Sequence, residues 1–208
     1  MYLPEHFKEE RAEVLHGLMR AHPLAALITT GSRGIEANHL PFLVDAENNI
    51  LRGHLARANP QWQNLEPGAT ALAIFQGPHS YVSPNWYPAK QEHGRAVPTW
   101  NYAVVHAWGE LLVYSEPARL LAFLEQLTAE HEAGEPQPWK PADAPNAYIE
   151  GQLRAIVGIE LRITRIEGKW KMSQNQPPAN RAGAAEALRQ RGRNDIARLI
   201  RAPQGRTL

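Results

Sequence analysis

Residues 24–56 read LAALITTGSRGIEANHLPFLVDAENNILRGHLA and carry the clearest strand pattern of the chain. Three runs rich in aliphatic and β-branched residues, at 24–30, 35–45 and 50–56, are separated by GSRG and AENN. Glycine and asparagine favour tight turns, and short apolar runs between such turns are typical of strands. The stretch therefore predicts a three-stranded antiparallel meander.

The rest of the chain adds more strands and few helices between them. Residues 70–77, 98–115 and 156–168 have the same β-rich composition. Apolar residues recur at helical spacing before Leu24, after Glu116, near Tyr148 to Leu153, and from Asn180 onward. About six strands, with helices at the two ends and after the fifth strand, predict a mainly β protein of the α+β class: a closed or partly closed antiparallel barrel.

Composition excludes several classes of protein. The 208 residues contain no cysteine, which excludes disulfides, thiolate metal sites and a cysteine nucleophile, so that redox chemistry would need a cofactor. The charged start MYLPEHFKEERAEV is unlike a signal peptide, and no stretch approaches the roughly 20 apolar residues that span a bilayer. We expect a cytoplasmic protein without membrane contact, folded as a single domain over 1–208 in which 180–208 form a basic helical extension.

Five polar strings lie where a plain barrel would have alternating apolar residues. They are HLPF at 39–42, GHLARANPQW at 53–62, GPHSYVSPNWY at 77–87, VPTWNY at 97–102 and KMSQNQPPANRAG at 171–183. In this order they resemble the PaiB family of FMN-binding proteins, described as negative transcriptional regulators, over about residues 1 to 190. The chain differs from the family's usual last string at Gln176, where arginine is common, and at Asn180, where aspartate is common.

The resemblance implies a six-stranded split β-barrel that forms a homodimer with FMN at the subunit interface, as in the pyridoxamine-phosphate oxidase superfamily. FMN has a dianionic phosphate, a hydroxylated ribityl chain and a flat ring with polar edges. Its site therefore needs cationic or backbone donors, neutral hydrogen-bonding side chains and aromatic walls. The five strings contain candidates for each requirement.

Arg57 and Asn59 are the main candidates for the phosphate, together with backbone amides where a short helix begins at Pro60. A guanidinium group and a helix amino terminus both favour a phosphate. Lys171 is a second cationic candidate. The alternative interpretations are a surface arginine beside an ordinary N-cap asparagine, and a solvated lysine on an edge strand.

Aromatic side chains can form walls for the ring. The candidates are Trp86, Tyr87 and Trp100; Tyr102 shares the strand face of Trp100, whereas Thr99 and Asn101 face the other way. Only one of these faces can line a pocket, and packing in the core or in an interface accounts for part of the six tryptophans. Neutral side chains can form hydrogen bonds with the ribityl chain and the polar edge of the ring; the candidates are Ser80, Thr99, Asn101, Ser173, Gln174 and Asn175. The alternative is that these side chains form hydrogen bonds only within turns and at strand ends.

Nine histidines raise the question of a metal site. No pair has the close spacing of a helical zinc site, so we expect no metal. His54 and His79, in the family strings, are candidates for the substrate side of the flavin. No Ser-His-Asp signature, phosphate-binding glycine loop or carboxylate pair stands out, and the catalytic residues stay unknown.

The segment from Pro177 to Leu208 is basic. Seven arginines and two acidic residues give it a net charge of +5, which suits contact with DNA phosphates. Its apolar residues can instead pack it as amphipathic helices with arginines on the solvated face. The arginines are Arg181, Arg189, Arg191, Arg193, Arg198, Arg201 and Arg206.

Three functions are compatible with these features. The first is an FMN-binding negative transcriptional regulator that senses flavin or redox state, as the resemblance implies. The second is an FMN-dependent oxidoreductase, such as a flavin or small-molecule reductase, with no role at DNA. The third is a dimeric scaffold that has lost its ligand, because a shared fold does not fix function.

Overall fold

A computed structural model describes residues 1–65 and 68–202 of the chain. The protein belongs to the α+β class and consists mainly of one antiparallel sheet with helices. The described residues form two compact units. The meander unit comprises Pro23–Ile74 and Ala107–Ile166; the terminal unit comprises Met1–His22, Phe75–His106 and the described residues from Glu167 onward.

Eight strands and six α-helices occur in the described part of the chain. The strands are β1 Lys8–Glu9, β2 Leu24–Gly31, β3 Gly34–Pro41, β4 Leu43–Asp45, β5 Ile50–Ala56, β6 Thr70–Val82, β7 Thr99–Tyr114 and β8 Ile156–Lys171. The helices are α1 Ala12–Ala21, α2 Pro88–His93, α3 Pro117–Glu132, α4 Asn146–Arg154, α5 Pro178–Arg189 and α6 Asn194–Arg201. Short 3-10 helices are Glu5–Phe7, Pro60–Asn64, Pro84–Trp86 and Pro141–Asp143.

The meander unit contains all or part of seven strands in the order β3-β2-β6-β7-β8-β5-β4. β2 and β3 form a hairpin, whose turn ends at Gly34 with φ +89°, a left-handed conformation that glycine adopts without steric cost. β5 pairs with β8 from Ala56↔Ile156 to Ile50↔Arg162. Helix α3 buries Leu120, Phe123 and Leu127, which belong to the apolar residues that recur at helical spacing after Glu116.

The terminal unit contains the end of β6, the start of β7 and the end of β8, to which β1 pairs through Lys8↔Lys169 and Glu9↔Gly168. Helix α1 buries one face of its length, as its apolar spacing predicts; the residues are Val14, Leu15, Leu18 and Met19. Helices α5 and α6 also bury apolar faces, so the amphipathic packing of the basic segment is confirmed. Residues 203–208, including Arg206, lie outside the described residues.

The predicted number of six strands is not confirmed, and the sheet is not closed. The run at 35–45 was expected to be one strand, but it divides at Phe42 into β3 and β4. Phe42 is 1% exposed, and its backbone amide donates to Pro23 O at 3.0 Å. Consequently β3 pairs with β2 and β4 pairs with β5, so the simple three-stranded meander was also wrong.

Two other boundaries differ from expectation. β6 continues through GPHSYV to Val82, beyond the predicted end at Gly77. The amino-terminal helix begins only at Ala12, after the 3-10 helix and β1, and ends at Ala21, before Leu24 as the sequence predicts. In the described part of the chain, none of the helices has the length and apolar character needed to cross a lipid bilayer.

Candidate functional site

Arg57 follows β5 in the meander unit, and its guanidinium is bonded to backbone carbonyls. Nε donates to Arg154 O at 2.7 Å, and Nη2 donates to Ile156 O at 2.8 Å. These hydrogen bonds attach the end of β5 to the junction of α4 and β8. Arg57 thus has a structural role, because it provides hydrogen-bond donors for two backbone carbonyl groups. The role of Arg57 at an FMN phosphate stays a prediction.

Asn59 caps the 3-10 helix that begins at Pro60, as the sequence predicts. Its Oδ1 accepts a hydrogen bond from the backbone amide of Gln61 at 2.9 Å. Gln61 is 1% exposed and donates to Leu27 O and Thr29 Oγ1, each at 3.1 Å. Sequence reasoning missed this anchor, because a glutamine in a short helix is usually exposed.

Two pairs of predicted site residues meet in the terminal unit. Lys171 Nζ donates to Thr99 Oγ1 at 2.6 Å, and Asn101 Nδ2 donates to Ser173 Oγ at 2.8 Å. Asn101 is fully buried and Ser173 is 3% exposed, whereas Thr99 and Lys171 are only half-buried. The Thr99–Lys171 pair can therefore reach a ligand, and the Asn101–Ser173 pair fixes the chain behind it.

The other neutral candidates mainly satisfy nearby backbone groups. Ser80 Oγ donates to Tyr81 O at 3.0 Å. Gln174 accepts from Met172 N at 2.6 Å and donates to Trp170 O. Asn175 is exposed. Their predicted contacts with the ribityl chain stay predictions.

Trp100 is the most exposed of the candidate ring walls. It is 53% exposed, and its ring centroid lies 5.8 Å from that of His79 and 6.3 Å from that of Tyr81. Trp100 and Tyr102 occupy the strand face that is not fully buried, opposite buried Asn101. This face of β7 therefore offers an aromatic surface to a ligand.

Tyr87 and Trp86 have a different setting. Tyr87 is 3% exposed and packs with Val82 and Ala184 in a small core, against which Trp86 also packs. Burial raises the pKa of the Tyr87 hydroxyl, whose oxygen has no hydrogen-bond partner among the described residues, and the nearby Ser173 offsets part of that rise. The guanidinium carbon of Arg191 lies 4.8 Å from the Trp86 ring centroid. Core packing thus accounts for Tyr87.

Gln176 and Asn180, the two departures from the family's last string, contact each other. Asn180 Nδ2 donates to Gln176 Oε1 at 3.0 Å, while Asn180 Oδ1 accepts from Ala89 N at 3.3 Å. Asn180 is 4% exposed. A neutral amide pair therefore stands at the positions where arginine and aspartate are common, and it avoids burying a charged pair.

The two histidine candidates lie in different units. His79, in the terminal unit, is exposed beside Trp100. His54, in the meander unit, is half-buried, with its ring centroid 6.1 Å from that of Phe123 and its Nδ1 without a hydrogen-bond partner. Burial lowers the pKa of His54. No cluster of three or more potential metal ligands occurs within residues 1–65 and 68–202.

A cavity of about 390 Å³ in the terminal unit was not predicted from the sequence. It is lined by Met1, Tyr2, Gln76, Tyr102, Val104, His106 and Lys169. Lys169 is 8% exposed, and its Nζ donates to Tyr2 O at 2.9 Å. The signal that could have identified Lys169 is its position two residues before Lys171 on the same strand, because residues two apart share a strand face.

The face of Trp100 suits a flavin. It combines an exposed indole with a flanking tyrosine and histidine, and Lys171, which donates to Thr99 next to Trp100 in the chain, adds an ammonium group. A flat ring with polar edges and an attached phosphate needs this combination of apolar surface, neutral donors and positive charge.

Comparison of sequences assigns the chain to a family. Residues 1–165 match the family model described as "Putative FMN-binding domain". The protein named protease synthase and sporulation protein PAI 2 of Bacillus subtilis is 31% identical over 192 residues, covering 90% of this chain and 89% of that protein. An uncharacterized protein of Emericella nidulans is 34% identical over 231 residues, covering 92% of each chain.

Comparison of structures supports the same fold. The flavocytochrome Anf3 from Azotobacter vinelandii matches with a TM-score of 0.60 at 15% identity, covering 79% of this chain and 69% of that chain. The FAD and heme binding protein of Mycobacterium smegmatis matches with a TM-score of 0.58 at 18% identity, covering 79% and 73%. At these identities the likeness concerns the fold alone. Together with the sequence matches and the five strings, it leads to one assignment: the chain belongs to the PaiB family of FMN-binding proteins.

Proposed function

We propose that FMN binds on the terminal unit against Trp100, with Lys171 as its cationic partner. The carrying observation is the 53% exposure of Trp100 beside the half-buried Lys171–Thr99 pair. Trp100 lies against Tyr81, which is 45% exposed, and adjacent exposed aromatic side chains are typical of surfaces that bind a ligand or partner. Bound FMN supplies a ring that accepts and releases electrons, and this chain would hold and orient that ring.

Fluorescence titration of FMN with the purified protein tests this assignment. Trp100→Leu removes the stacking surface and should weaken FMN binding about tenfold, the effect typical of losing one aromatic stacking partner. Lys171→Met removes the charge and should weaken binding by a similar factor of about ten. Trp139→Leu is the matched control, because Trp139 is 45% exposed but lies in the meander unit.

Two outcomes would contradict the assignment. One is equal loss of affinity in Trp100→Leu and Trp139→Leu. The other is a protein that neither carries flavin after purification nor quenches the fluorescence of added FMN; that result would favour the scaffold interpretation.

We further propose that the flavin protein regulates transcription in response to flavin or redox state. The resemblance to a family described as negative transcriptional regulators supports this role. A basic surface at α5 and α6 supports contact with DNA: Arg189, Arg198 and Arg201 line a cavity of about 480 Å³. Glu186 pairs with Arg189 and Arg201, whereas no carboxylate in the described part of the chain pairs with Arg198.

Fluorescence anisotropy with DNA from the protein's own promoter, in about 0.15 M salt, tests the regulator role. We expect sequence-specific binding that changes with flavin redox state and is weakened in the double variant Arg198→Gln, Arg201→Gln. Arg154→Gln is the control, since Arg154 is exposed in the meander unit. Binding that is weak, salt-sensitive and independent of sequence would contradict the role.

His79 supports a second candidate function, an FMN-dependent oxidoreductase. Its ring lies 5.8 Å from Trp100, where an imidazole could exchange protons with a substrate beside the flavin. Anaerobic mixing with NADH or NADPH separates the candidates, because a reductase loses the flavin's visible absorbance and a flavin with no reductase role keeps it.

A further inference from the structure

The cavity over Lys169 has a buried positive charge that none of its described lining side chains matches with a negative charge. Lys169 is 8% exposed, yet no carboxylate pairs with it within residues 1–65 and 68–202. The nearby carboxylates have other partners: Glu167 accepts from the Met1 amino group at 2.7 Å, and Glu9 pairs with Arg11. Buried ammonium groups are normally paired, because removing them from water is costly.

Lys169 also keeps hydrogen-bonding capacity. An ammonium group carries three donors, and Nζ uses one of them for Tyr2 O at 2.9 Å. The same nitrogen lies 5.7 Å from the centroid of the Tyr2 ring and 5.4 Å from that of the Tyr102 ring. Cation–π attraction at these distances holds the ammonium between two flat surfaces without neutralising its charge.

The lining determines what kind of anion fits. The lining has the ammonium of Lys169 and the Met1 amino group, which is paired with Glu167, but it has neither a guanidinium fork nor a helix amino terminus, the groups that usually hold a phosphate. Tyr2, Tyr102 and Val104 give it apolar surface, and Gln76 and His106 add polar groups. Its volume of about 390 Å³ falls in the size range of small-molecule sites.

We propose that this cavity binds a small aromatic carboxylate, whose carboxylate pairs with Lys169 Nζ and whose ring packs against Tyr2 and Tyr102. Tyr102 and Lys169 are each two residues from Trp100 and Lys171, on the same strands and the same face. The ligand therefore lies beside the flavin, and this relation alone rests on the proposed flavin position. The carboxylate site itself stands on the geometry of the cavity.

Isothermal titration calorimetry with 2-naphthoate and its neutral analogue 2-naphthamide tests the proposal on the full chain. We expect the carboxylate to bind at least about tenfold more tightly than the amide, as a charge-assisted hydrogen bond predicts. Lys169→Met should abolish this difference while leaving FMN affinity unchanged. Lys90→Met, at an exposed lysine of the same unit, should keep the difference.

The outcomes separate this site from the flavin site. Loss of FMN binding in Lys171→Met with unchanged naphthoate binding supports two adjacent sites. Equal affinity for naphthoate and naphthamide, or no binding of naphthoate, overturns the carboxylate site, and neither result requires a folded variant. Displacement of naphthoate by FMN also overturns it, because the cavity would then belong to the flavin.

Discussion

His54 shows how one half-buried side chain links folding to pH. It faces Phe123, and its Nδ1 has no hydrogen-bond partner, so burial disfavours the imidazolium form and lowers its pKa. The unfolded chain takes up the proton near the ordinary histidine pKa of about 6.5, whereas the folded chain resists it. The free energy of unfolding must therefore fall as pH drops below about 6.5.

His54→Gln should make this decrease smaller, because glutamine does not titrate. Urea denaturation at about pH 7.5 and about pH 5 measures the difference. Part of the decrease should persist, since burial also lowers the pKa of His16 and His22. If the free energy of unfolding of His54→Gln fell with pH as steeply as that of the wild type, His54 would be protonated equally in the folded and unfolded chains.

The types of residue in the sequence were enough to predict a flavin site, but not to predict which of those residues contact one another. Thr99 and Lys171 were selected separately and lie 2.6 Å apart, because β7 and β8 are neighbouring strands of the sheet. Arg57 and Tyr87 were selected on the same chemical grounds, but Arg57 bonds to carbonyl groups and Tyr87 packs in a core. A sequence does not show which polar or aromatic groups the fold itself uses.

At the scale of elements, the junction of α5 with the 3-10 helix Pro84–Trp86 depends on Gly183. A Cβ at this position would lie 2.2 Å from Trp86 O, a backbone atom with little freedom to move. Gly183→Ala should therefore lower the free energy of unfolding by about 1–3 kcal/mol, the typical cost of overpacking. Thermal and urea denaturation measure the change.

Gly151 in α4 provides the matched control. The nearest atom to a Cβ there is Arg154 Nη2 at 3.9 Å, so an alanine meets no obstruction. Gly151→Ala should raise the free energy of unfolding by about 0.5–1 kcal/mol, because alanine loses less backbone entropy in a helix. A destabilising Gly151→Ala, or a neutral Gly183→Ala, would contradict the role given to the close approach.

Strand existence was easier to predict than strand boundaries. The β-rich runs all formed strands, because their composition favours extended backbone. The division at Phe42 escaped prediction, since it depends on a bond to Pro23 and on burial of the ring. β1 escaped as well, because two residues carry no periodic pattern and pair only with the distant β8.

At the scale of the whole molecule, exposed apolar side chains of the terminal unit support the proposed homodimer. Val97 is 75% exposed, close along the chain to Trp100 at 53%, and Tyr81 contacts Trp100 and is 45% exposed. Large apolar groups gathered in this way are typical of surfaces that bind a partner or a ligand. We propose that a second copy of the chain covers Val97 while the flavin covers Trp100.

Size-exclusion chromatography with light scattering tests this assembly. The expected mass is twice the 23.3 kDa of the chain. Val97→Glu should convert the dimer to a monomer, because a carboxylate in an apolar interface loses hydration without gaining a partner. Ile35→Glu should leave the dimer intact, since Ile35 is 78% exposed but lies on β3 in the meander unit.

A monomeric wild-type chain would contradict the dimer, whereas dimers in both variants would contradict only the face assigned to it. If FMN lies between subunits, dilution of the wild type should release flavin and monomer together.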